Sequence, residues 1–88
     1  MAACAAQVFS GITQARFDCL VKTASAHKIA ISGNQGEVKV DHGIVSVRIR
    51  WDYDPVAETL TLQYLNPHFL AKCDEVNGML HDLVDSCP

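Results

Sequence analysis

The sequence predicts a small α+β protein. It reads as a two-layer sandwich in which a three- or four-stranded antiparallel meander carries an N-terminal and a C-terminal helix on one face, αβββα or αββββα. Three observations predict it. Apolar residues recur at helical spacing near both ends of the chain, they alternate with polar ones through the middle, and the turns between alternating runs are short. The 88 residues suit one domain, in which residues 1–11 are either frayed or an edge segment. A chain of this size buries only about 60 to 65% of its unfolded surface, so its core must be small and dense.

The first helix opens at Thr13, whose hydroxyl suits an N-cap, with Ile12 before it and Phe17 one turn inside as a hydrophobic staple. Phe17, Leu20, Val21 and Ala24 then form one apolar stripe, and the pattern fades near His27. From residue 28 to 65 the period is two. Ile29 and Ile31 precede a turn over residues 33–36, Val38 and Val40 precede a turn at Asp41, His42 and Gly43, and Val45, Val47, Ile49, Trp51 and Tyr53 form the strongest alternating run. Asp54 and Pro55 end that run, because proline cannot donate to a ladder. Leu60, Leu62 and Tyr64 alternate with Thr59, Thr61 and Gln63 in the last strand. One apolar and one polar face per strand is the mark of an antiparallel sheet wetted on one side. The second helix is expected from Asn66 as N-cap and Pro67 at its first position, with Leu65 and Leu70 as staple. Phe69, Cys73, Val76, Leu80, Leu83 and Cys87 would make its buried stripe.

Four cysteines raise the question of disulfides. Cys73 and Cys87, on one helix, would stand about 21 Å apart, too far to bridge. Pairs Cys4–Cys87 and Cys19–Cys73 stay open, but the apolar content, 49% of residues, can build a core unaided, so reduced and mostly buried thiols are expected. Residues 1–10 lack the basic start and long apolar run of a signal peptide, and no run is long enough to span a bilayer, so a cytoplasmic location without membrane contact is expected.

Composition narrows function by exclusion. A net charge of −3 opposes general nucleic-acid binding, and Trp51, Tyr53 and Tyr64 lie in phase with the core, leaving the polar sheet face without a base-stacking platform. No zinc-type spacing, phosphate loop or nucleophile elbow occurs, and neither a cofactor, a metal nor a catalytic residue is expected. Three surfaces are candidates for contact with another protein or a second copy of the chain. One is the polar sheet face with Arg48 and Arg50, one an exposed edge strand, and one the polar stripe of the second helix.

That stripe holds Asp74, Glu75, His81, Asp82 and Asp85 within an arc of about 120°. Its last two acids sit where the helix dipole disfavours anions, which makes the stripe a candidate for docking a basic surface. The expected function is a small non-catalytic interaction module, an adaptor, inhibitor or accessory subunit able to form a homodimer. The alternative is a ligand-binding or enzymatic domain with a pocket between sheet and helices, whose polar groups would be Tyr53, Tyr64 and Asn77.

Overall fold

A computed structural model describes residues 3–42 and 45–88 of the chain, with the side chain of residue 42 left out. Its elements are β1 (Gln7–Phe9), α1 (Gln14–Ala26), β2 (Gln35–His42), β3 (Val45–Asp54), β4 (Thr59–Tyr64) and α2 (Cys73–Asp85). The strands form one antiparallel sheet in the order β1-β4-β3-β2. The β2–β3–β4 meander is the one the alternation predicts. The fourth strand is the N-terminal segment, which pairs Gln7–Phe9 with Leu62, Thr61 and Leu60 at the far edge, so the observed order of elements is βαβββα. Residues 28–34 form no strand. Lys28 takes a left-handed φ of 63°, and the Ile29 amide turns back to donate to the carbonyl of Ala24. Of the turn expected at Asp41, His42 and Gly43, the last residue lies outside the described ones.

Strand phase follows the sequence. Val47, Ile49, Trp51, Tyr53, Leu60, Leu62 and Tyr64 are buried, and their in-between neighbours on β3 are exposed or half-buried. These side chains form one cluster with Phe17 and Leu20 of α1 and Val76, Leu80 and Val84 of α2. Residues of both helices and of the inner sheet face line one small cavity of about 30 Å³. The radius of gyration, 12.4 Å, is close to the ~12 Å of a packed chain of this length.

α1 starts where the sequence says. The Thr13 hydroxyl accepts from the Arg16 amide at 3.2 Å, and Ile12 and Phe17 are both buried. Phe17 stacks on Tyr53 with ring centroids 4.1 Å apart. One glycine is fixed by packing: a Cβ on Gly36 would come within 2.8 Å of the Trp51 ring that lies across it.

α2 departs from expectation at its start. It begins at Cys73 behind Lys72, which makes no side-chain cap, and Asn66 is used elsewhere. The Asn66 Oδ1 accepts from the Arg48 amide at 2.7 Å and its Nδ2 donates to the Ser46 carbonyl at 3.1 Å. The side chain thus continues the ladder of β3 past the end of β4. His68 and Ala71 then close a bridge, and the Tyr64 hydroxyl donates to the Ala71 carbonyl. Phe69, expected in the buried stripe, and Leu70, expected as the staple partner of Leu65, are exposed in this loop.

Where reduced thiols are expected, the structure has two disulfides. Cys4 bonds Cys73 and Cys19 bonds Cys87, with Cα separations of 5.8 and 6.0 Å. Cys73 and Cys87 lie at opposite ends of α2, as the length argument required, but the pairing is the reverse of the one left open. The reason is local. The segment before β1 runs beside the end of β4, with the Cys4 amide donating to the Tyr64 carbonyl, and this brings Cys4 to the first residue of α2. One bridge therefore ties the start of α2 to the N-terminal segment and the other ties its end to α1.

Candidate functional site: an apolar groove behind an open edge strand

The layer of helices does not cover the sheet evenly. Together they cover the inner side of β2 only in part, and Val38 and Val40 are half-buried against the edge of the core. A groove of about 580 Å³ results, floored by Val40, Val47 and Ile49 and walled by Val76, Met79, Leu80 and Leu83 of α2, with Ile29 and the end of α1 opposite. Polar residues stand in its lining as well, among them Thr23, His27, Asp82 and Ser86, whereas the Asp41 carboxylate turns to the outer face and accepts from the Ser46 hydroxyl. Apolar walls beside a few polar groups are the combination in which walls can supply contact area and polar groups orientation.

Beside the groove lies the free edge of the sheet. The Tyr53 amide donates to the Asn34 carbonyl at 2.6 Å, which fixes which β2 residues face β3. In the register of this pair, even-numbered residues of β2 bond to β3 and odd-numbered ones point away. Lys39 illustrates it. Its opposite number, Arg48, spends its amide on Asn66 and its carbonyl on the Leu65 amide, both on the β4 side. The N–H and C=O groups of Gln35, Glu37, Lys39 and Asp41 therefore project outward, and no described residue pairs with them. β1 at the opposite edge is only three residues long. β2 has eight.

The residues singled out from sequence are dispersed. Arg48 pairs with Glu37 at 2.7 Å on the exposed outer face. Arg50 lines a shallow polar depression on that face with Asp52, Thr61 and Gln63. Asp74 and Glu75 are exposed in the first turn of α2, where the later start of the helix makes their charge favourable. Asp82 and Asp85 are exposed near its end, and the cation expected there comes from another element. The Arg16 side chain donates from Nε to the Cys87 carbonyl and from Nη2 to the Val84 carbonyl. The conflict that made the acidic stripe suggestive is thus relieved inside the fold.

His81 is held by its own chain, with Nε2 3.1 Å from the Gln7 Oε1 and its ring edge-on to Phe9. Among the described residues no three His, Cys, Asp or Glu side chains gather as a metal site. The three groups proposed for a pocket do not line the groove. Tyr53 donates to the Ile12 carbonyl at 2.8 Å, Tyr64 to that of Ala71, and the buried Oδ1 of Asn77 has no partner among the described residues. Burial, and then the charges of Glu58, Asp18 and Asp54, push the Tyr53 hydroxyl above its usual pKa.

What defines the molecule is then a disulfide-tied α+β sandwich with an open edge strand and an apolar groove behind it. Compared with protein-family models, with curated proteins and with solved structures, the chain matches none. No helix among the described residues is long and apolar enough to cross a membrane. The groove was missed from sequence because Val40, Val47, Ile49 and Leu80 carry the same signal as a closed core. Alternation tells which face is apolar, not how much of it the helices cover.

Proposed function

We propose that the protein is a non-catalytic interaction module that binds an extended strand of another protein chain along β2. The observation that carries this reading is the adjacency of two features: an edge whose odd-numbered backbone groups pair with no described residue, and an apolar groove on the inner side of the same strand. Strand addition uses both. Main-chain bonds hold the incoming segment, and alternate side chains reach the groove region. Two disulfides fit work in an oxidising compartment, which replaces the cytoplasm in this reading.

The test is a selection of short random peptides displayed on phage, followed by binding to the Lys39→Pro variant. Proline at Lys39 removes an outward N–H and spares the ladder to β3, so the fold should persist, as proline is tolerated on edge strands. Peptides rich in alternating apolar residues that lose binding to this variant support the reading. Peptides that bind it as well as the parent protein would place the contact elsewhere.

The groove volume also favours a second reading, a small apolar ligand seated on Val40, Val47 and Met79. A ligand that binds parent protein and Lys39→Pro alike, and is lost on Val47→Phe, would select it.

A further inference from the structure

We propose that the strand added to β2 is the β2 strand of a second copy of this chain, paired antiparallel about Val38 so that Glu37 of each protomer faces Lys39 of the other. This rests on the reading of β2 as the docking edge and names its occupant.

The charge pattern of the strand carries it. Antiparallel pairing sets residues of the same sheet face opposite each other, so the valines of two copies stay on the inner face only when the centre of symmetry falls on a residue. Centred on Lys39, the pairing would oppose Lys39 to itself and Glu37 to Asp41 twice, with like charges at every outer position. Like charges directly opposite destabilise a sheet. Centred on Val38, the same strand opposes Glu37 to Lys39 twice and Gln35 to Asp41 twice. A centre on Val40 also pairs Lys39 with Asp41, but it runs beyond His42 after two residues on one side, and the Val38 centre keeps residues 35–41 of both copies within the strand.

Three further observations agree with the Val38 centre. All these residues lie in the odd phase whose N–H and C=O groups point off the edge, as bonded pairing requires. Lys39 forms no ion pair with any described residue of its own chain, whereas Glu37 already holds Arg48 and would sit between two cations. On the inner face Val38 meets its counterpart, and Val40 of each copy falls opposite Gly36, beside the Trp51 ring that lies over that glycine. The sheet becomes eight-stranded and the two grooves adjoin.

Two single charge reversals test it together, each at an exposed position where the fold should be unchanged. Sedimentation should find the parent protein in concentration-dependent dimers. Glu37→Lys alone opposes two lysines twice and Lys39→Glu alone opposes two glutamates twice, so each should weaken self-association by about tenfold or more. An equal mixture of the two variants restores opposite charges at all four positions and should form heterodimers as tight as the parent dimer. Lys39→Pro should be monomeric. A parent protein that stays monomeric while Lys39→Pro still abolishes binding of the selected peptides would overturn the second-copy assignment and leave the docking edge standing. A dimer indifferent to all three variants would overturn it too, placing self-association on another surface. Peptides that ignore Lys39→Pro would instead remove the docking edge itself.

Discussion

Tyr53 shows how a single polar atom is accommodated in a core this small. Its ring stacks on Phe17, its hydroxyl donates to the Ile12 carbonyl, and its surroundings disfavour a phenolate by burial first and by Glu58, Asp18 and Asp54 next. The folded protein therefore holds this proton to higher pH than the unfolded chain, where a tyrosine releases it near pH 10. The stabilisation is complete below about pH 10 and is lost as pH rises from there through the higher folded value. Unfolding free energy measured by urea at a series of alkaline pH values should fall more steeply for the parent protein than for Tyr53→Phe. Parallel curves for the two proteins would mean that Tyr53 ionises as freely folded as unfolded. The alternation of β3 places the residue in the core, as the structure does, but gives its hydroxyl no partner and so suggests a pocket group. Its partner, the Ile12 carbonyl, is 41 residues away in sequence, and no local pattern announces it.

At the level of elements, what the sequence made legible were features decided locally. Thr13 capping α1, the phase of β3 and β4, and the meander itself all follow from neighbours a few residues apart. The start of α2 did not, because Asn66 and Pro67 carry a sound N-terminal signal that tertiary structure overrides. The Arg48 amide and the Ser46 carbonyl need partners beyond the end of β4, and Asn66 supplies both. Its value lies in the sheet, not in a helix cap. Replacing it by alanine should leave helix content unchanged by circular dichroism and lower stability by about 1 kcal/mol through two lost hydrogen bonds at an exposed site. Amide exchange should accelerate at Arg48, whose N–H loses its acceptor. A fall in helix content with no change at Arg48 would restore the capping role. Of the two readings open for residues 1–11, frayed or an edge segment, the structure has the edge, and three residues are too few for a period that could decide between them.

The whole molecule is held by where α2 is fastened. Cys4–Cys73 secures its first residue to the segment before β1, and Cys19–Cys87 secures the chain just past its end to α1, where Arg16 also binds the last carbonyls. The bridges span 69 and 68 residues of sequence. Closing a loop of that size stabilises by about 4 kcal/mol in the chain-entropy account. The two loops overlap over most of their length, so the second closure adds less than the first. Such a gain is a large part of the roughly 5 to 15 kcal/mol by which folded domains are stable.

Reduction should therefore lower the thermal midpoint sharply, and the loss should fall first on α2, which alone has a bridge at each end. The groove wall would go with it, since Val76, Met79, Leu80 and Leu83 all belong to that helix. Protein taken from its own host and alkylated under denaturing conditions should show no free thiols, and an unreduced mass four hydrogens below that of the reduced chain. Selected peptides should then bind the oxidised form and fail on the reduced one. Four alkylated cysteines in host material, with peptide binding intact, would show that the groove is built without the bridges and that the protein works in a reducing compartment.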